Sequence, residues 1–252
     1  MRRKVIGLCI LALSIGLFCG RASFAQLDRT QEINDYIQTI QDGVLSHQIL
    51  VAKKITRSGL TDAPLFDLLE KELLEGYPVA SGSDPIDYMS WLCKALASSG
   101  QERYKATLEQ VAAKSTSPKL QRYAKQSLSM IEEYAARSAI INQSSEAMSD
   151  KDPAVVQLIN MLSSDSLELK RDAAKKITRN TYKDMDLFET VNRELLEGYA
   201  AASDSLSLDT MAWLCKALGA SGNPKYKETL LKVRDSGSPK LHKYAGKGYD
   251  ML

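Results

Sequence analysis

Ala52–Arg57 reads AKKITR, and the same six letters return at Ala174–Arg179. ELLEGY at Glu72–Tyr77 returns at Glu194–Tyr199, and WLCKAL at Trp91–Leu96 returns at Trp213–Leu218. All three echoes share an offset of 122 residues. At that spacing about half the positions between His47 and Lys114 match their counterparts, the signature of an internal duplication. SPKL moves from Ser117–Leu120 to Ser238–Leu241, one residue short of the offset, so the second copy has lost a residue in a loop.

Prolines punctuate the copies. Asp84-Pro85, Ser117-Pro118, Asp152-Pro153, Asn223-Pro224 and Ser238-Pro239 each place a side-chain acceptor at a helix N-cap and Pro in the first turn, where its missing N–H costs nothing. Gly100 and Gly222 close the WLCKAL helices. Between these marks the apolar residues keep helical steps, as Leu65, Leu68, Leu69 and Leu73 do. The spacing predicts helices over 31–42, 45–58, 62–77, 84–98, 102–114 and 118–140 in the first copy, joined by short connections and packed antiparallel. Three hairpins in each copy give about 40 residues per hairpin.

Ser163–Ile177 (SSDSLELKRDAAKKI) resembles the second helix of a HEAT repeat, and Ser81–Leu96, Ser115–Leu128 and Gly237–Tyr249 are looser versions of it. The resemblance implies an all-α solenoid, two tandem copies of about three HEAT-like hairpins each, with a tendency to bind partners. Ala52, Ala95 and Ala124, with their counterparts Ala174, Ala217 and Ala245, are small enough to let neighbouring helices approach closely. Residues 26–141 form the first unit and 153–252 the second. The polar stretch 142–152 (NQSSEAMSDKD) joins them.

Residues 1–25 have the three parts of a secretory signal: Arg2, Arg3 and Lys4, the apolar run Val5–Phe18, and small residues at Ser23 and Ala25. Cleavage after Ala25 places the protein in the periplasm or outside the cell. The rival reading is a lipoprotein acylated at Cys19. Removing the signal takes four of the 33 cations and none of the 31 acids, leaving 29 against 31. That near balance lacks the basic footprint of a nucleic-acid binder. No membrane span is expected after cleavage, and the oligomeric state is open.

Cys93 and Cys215 occupy one place in the two copies. A whole unit should part them by on the order of 25–30 Å, beyond the reach of a disulfide, so both are expected as buried thiols. Beyond the signal only His47 and His242 occur, without His-Glu pairs, so the dimetal site of one HEAT-family hydroxylase cannot be assembled and neither metal nor cofactor is expected. Glycine-rich phosphate loops and nucleophile elbows are missing. Glu70, Glu72, Glu75, Glu189, Glu194 and Glu197 read as solvated helix faces. The chain is expected not to be an enzyme.

The candidate binding residues are cationic. Arg171, Lys175 and Arg179 stand at i, i+4, i+8, and Lys53 and Arg57 repeat the shorter ridge. Like charges at that spacing cost about 0.2–0.5 kcal/mol per pair unless something offsets them. Either Glu168 and Asp172 neutralise them locally, or the ridges, with Lys94, Lys119, Arg122, Lys216, Lys240 and Lys243, make a basic trough for an acidic protein partner. Trp91 and Trp213 read as hairpin core, with surface anchors as the alternative. The function expected is a non-catalytic, exported scaffold for protein binding or assembly in the cell envelope. The alternative is an envelope carrier or enzyme with a pocket between the two units.

Overall fold

The computed structural model describes residues 29–143 and 146–252. The export signal over 1–25, its cleavage after Ala25 and the Cys19 alternative lie outside the described residues. Among these the chain is all-α: α1 (Thr30–Asp42), α2 (Leu45–Ile55), α3 (Ala63–Gly76), α4 (Ser83–Ser98), α5 (Lys105–Lys114), α6 (Pro118–Ser129), α7 (Ile131–Ile141), α8 (Pro153–Leu162), α9 (Leu167–Arg179), α10 (Met185–Gly198), α11 (Ser205–Gly219), α12 (Lys227–Ser236) and α13 (Pro239–Asp250). Sequential helices pair, and the pairs stack in two rows. α1, α3 and α5 form one row and α2, α4 and α6 the other. α8, α10 and α12 then pack beside one another, as do α9, α11 and α13. This is the helix-on-helix layering of a solenoid, in which each hairpin buries its apolar stripe against the next.

Cap chemistry decides where the helices begin. Asp62 accepts from the Leu65 N–H at 3.0 Å, and Asp184, one offset later, accepts from Leu187 at 2.9 Å. Ser117, Asp152 and Asn223 cap as their X-Pro dipeptides predict. Ser238 occupies its N-cap without a side-chain bond. Asp84 does not cap α4. That helix starts one residue earlier, at Ser83, from Gly82 with φ of 81°.

The segment 118–140 is two helices, not one. Met130 leaves the helix with ψ near zero, and α7 sets off along a new direction to pack on α4, α6 and α8. The reason is that α6 and α7 bury against different surfaces. Leu120 and Ala124 of α6 enter the first core, while α7 runs from Ile131 in that core to Ile141 in the second. The two apolar cores therefore part within α7.

The alanines at the helix crossings, Ala52, Ala95, Ala124, Ala174, Ala217 and Ala245, are all fully buried. α11 and α13 also approach closely, since a Cβ on Gly219 would stand 2.7 Å from the Gly248 Cα. The stretch after α7 is tied down by amides. Asn142 donates to the carbonyls of Gly59 at 3.2 Å and Ser138 at 2.9 Å, and accepts from Gln157 of α8 at 2.9 Å. Asn160 donates to Gln143 O at 2.7 Å. These polar bonds join the first set of helices to the second beside the apolar contacts of Ile140 and Ile141.

Candidate functional site

The row formed by α2, α4 and α6 carries a ladder of cations and rings. Trp91 and Lys94 stand at i, i+3 on α4, so both point to the same side. The Lys94 ammonium lies 4.1 Å from the Trp91 ring centre and 4.5 Å from that of Tyr123 on α6. Lys53 of α2 lies 5.1 Å over the same indole, and the Arg122 guanidinium 5.3 Å from the Tyr123 ring. The arrangement recurs along α9, α11 and α13. Lys216 stands 3.9 Å from Trp213 and 4.9 Å from Tyr244, and Lys175 5.5 Å from Trp213. Each such contact contributes about 0.5–1 kcal/mol at an exposed site.

Among the described residues Lys53, Lys94, Lys175 and Lys216 have no carboxylate within ion-pair distance. Ring faces hold them in place instead of acids, which leaves their charge free to act on a partner. Trp91 and Trp213 are accordingly neither wholly core nor free anchors. Both are half-buried, packed against the core on one side and under ammonium groups on the other.

The five predicted residues fall in different settings. Lys53 and Lys175 are the outer rungs of the two ladders. Arg57 lies in the turn beyond α2, exposed, so the α2 ridge is shorter than its spacing predicts. Arg179 ends α9, also exposed. Arg171 is half-buried and reaches Asp209 of α11 at 3.7 Å, while its Nε is buried without a hydrogen-bond partner. Local neutralisation by Glu168 and Asp172 is not what the structure shows. Asp172 turns to Arg137 of α7 at 3.3 Å, and Glu168 accepts from its neighbour Ser166.

That Arg137–Asp172 pair closes one side of a cleft of about 580 Å³ where α7 meets α9. Arg57, Trp91, Lys94 and Tyr134 are among the residues that line the rest. Burial pushes the Tyr134 hydroxyl above its ordinary value. Sequence reasoning missed Tyr134, Arg137 and Asp172 as site residues. Their one visible signal is that Tyr134 and Arg137 repeat the i, i+3 aromatic–cation step of Trp91 and Lys94.

Charges at the start of α1 act on Lys176 of α9. Arg29 pairs with Glu32 at 2.7 Å and donates to Ser58 O at 2.9 Å. Burial, and then the charge of Arg29, hold the Lys176 ammonium below its ordinary value of 10.5, with Glu32 opposing. A lowered lysine makes the unfolded chain the better proton binder between the folded value and 10.5, so stability rises with pH through that window. Lys176→Met is therefore expected to raise the urea midpoint at neutral pH, with its advantage over the native chain shrinking as pH climbs toward 10.5. A variant less stable than the native chain at neutral pH contradicts this.

The glutamate rows are not uniformly solvated. Glu194 is 7% exposed and bonded by Lys170 of α9 and Arg193. Glu70 accepts from Thr107, and Glu189 from Lys225 and Tyr226. Cys93 and Cys215 are fully buried free thiols, each pushed up to about 12 by burial. His47 and His242 are exposed, and His242 bonds the Gly237 carbonyl at 2.9 Å. Among the described residues no three His, Cys, Asp or Glu side chains are grouped to hold a metal, and no helix is long and apolar enough to cross a membrane.

These features define an all-α chain of stacked helical pairs with a duplicated cation–aromatic face. No family model matches it, and no curated protein matches it. Among solved structures it is similar to human deoxyhypusine hydroxylase in complex with glycerol, with 12% identity and a TM-score of 0.34, over 87% of this chain and 83% of that one. The expectation that the chain is not an enzyme is corrected by this finding, because the matched protein is an enzyme. A likeness at that level carries no activity across.

Proposed function

We propose that the chain is an exported HEAT-like solenoid of two tandem units, acting in the cell envelope as a protein-binding or assembly module. The observation that carries this reading is the ladder, built twice from lysines that have no carboxylate at ion-pair distance among the described residues. Its complement is an acidic segment of a partner protein that lies along α2, α4 and α6 or along α9, α11 and α13. Ring contacts pre-organise the ammonium groups, so less side-chain freedom is lost on binding. Charge matching of this kind acts on association rate and weakens with salt.

Charge reversal at Arg171, Lys175 and Arg179, combined with Lys53→Glu and Arg57→Glu, is expected to weaken capture of an oligo-glutamate peptide by about tenfold or more. Capture by the native chain should fall steeply as ionic strength rises. Undiminished capture by the reversed variant, measured by titration calorimetry, contradicts the reading.

A second reading, a carrier or enzyme with its pocket between the two units, is favoured by the cleft where α7 meets α9. Its residues come from both units, as Arg57, Lys94 and Asp172 do. A thermal-shift screen with a metabolite library discriminates the two, since a ligand that binds only the folded chain raises its midpoint with concentration.

A further inference from the structure

Resting on the second reading, we infer that the cleft between α7 and α9 is a site for a small organic anion whose carboxylate or phosphate charge is carried on a planar ring. Three cations converge there, Arg57, Lys94 and Arg137, against one carboxylate, Asp172. Asp172 is already engaged by Arg137 at 3.3 Å. Arg57 and Lys94 have no carboxylate partner among the described residues, so two positive charges face the opening uncompensated. A guanidinium and an ammonium at one mouth suit an oxyanion. Arg57 offers a planar fork of donors, and Lys94 a compact charge.

The ring requirement comes from the walls. Tyr134, half-buried, presents aromatic surface beside those donors, and Trp91, one face already under the lysine ammonium groups, lines the same cleft. The Lys94 ammonium cannot swing freely, because it is held between Trp91 and Tyr123. A volume of about 580 Å³ is in the range of sites that enclose a small molecule. Glu133, exposed beside Tyr134, acts on that ring from outside the lining.

The second half supplies an internal control. One offset on, Arg57, Trp91 and Lys94 become Arg179, Trp213 and Lys216. The wall made by Tyr134, Arg137 and Asp172 belongs to the first site.

The test is a titration of the ¹⁵N-labelled full chain with phenyl phosphate, phthalate, inorganic phosphate and phenol, followed on the indole N–H signals of its two tryptophans. Phenyl phosphate or phthalate should move the Trp91 signal saturably while Trp213 stays still, and whichever binds more tightly names the oxyanion. Inorganic phosphate and phenol, each carrying half of the required chemistry, should bind at least about tenfold more weakly. Arg57→Ala and Lys94→Gln should weaken binding about tenfold or more, and Arg179→Ala should leave it unchanged. Equal loss in Arg179→Ala and Arg57→Ala, or equal affinity for inorganic phosphate and phenyl phosphate, overturns the assignment. A saturable Trp91 response to phenol alone overturns the anion but leaves a carrier standing. Silence of Trp91 toward all four, alongside a ligand-specific midpoint rise for some other compound, overturns this cleft and not the carrier.

Discussion

Gly100→Ala is expected to destabilise the fold by about 3 kcal/mol or more, while Gly222→Ala at the matching position loses only about 1 kcal/mol. Both glycines follow the WLCKAL helices with positive φ, 67° and 63°. That conformation costs any side chain about the same in each copy. Their surroundings differ. A Cβ on Gly100 would stand 2.4 Å from the Ala135 Cα and 2.5 Å from the Ala135 nitrogen, both in the backbone of α7, whereas a Cβ on Gly222 meets nothing within 4 Å. Backbone cannot rotate aside as a flexible side chain can, so Gly100→Ala pushes α7 off α4. Urea titrations of the two variants measure the difference directly, and equal midpoints contradict the docking described for α7.

Glu194→Ala is expected to cost about 3 kcal/mol, because it strands the Lys170 ammonium, 19% exposed, without its counter-charge. Replacing both partners, as in Lys170→Met with Glu194→Leu, should recover most of that loss, since an apolar pair of similar volume asks for no desolvation of charge. The duplication again provides the comparison. Glu72 takes the place of Glu194, but Gln48 stands where Lys170 does, and its amide donates to Ile40 O at 2.7 Å. Burial, followed by the charge of Glu75, raises the Glu72 carboxyl above its ordinary 4.5. A raised carboxyl favours the folded state most below 4.5, and that contribution is lost as pH rises through the folded value. Glu72→Gln should therefore gain on the native chain between pH 4 and neutrality. The midpoint of unfolding against pH checks this, and a Glu72→Gln variant that falls behind with rising pH contradicts it.

Much of the helical layout was legible because its signals are local. Asp62, Ser117, Asp152 and Asn223 announce helix starts by their own hydrogen bonds, and the 122-residue offset carries α3 onto α10 with both ends aligned. The break at Met130 was not legible. No Gly or Pro stands there, and the apolar step from Leu128 to Ile131 continues the helical period. Only the demand of α7 for a different neighbour ends α6. Gly82 displaced Asp84 as the cap of α4 for a related reason, since a backbone turn leaves no trace in acceptor spacing.

The candidate site divides in the same way. The cationic ridges were visible as i, i+4 steps, yet what each cation meets was not. Arg171 finds Asp209 and Asp172 finds Arg137, pairs 38 and 35 residues apart, which no periodic pattern relates. The ring contacts of Lys94 and Lys216 join α4 to α6 and α11 to α13, so they too exist only once the helices are stacked.

The amide clasp around Asn142 has a mechanical meaning. Where two apolar interiors are parted by a single short rod and fastened by carboxamide contacts, water can replace the fastenings at small loss. Bending at that seam would uncover little apolar surface beyond Ile140 and Ile141, so it is the direction in which yielding costs least, and it would change the mouth between Arg57 and Asp172.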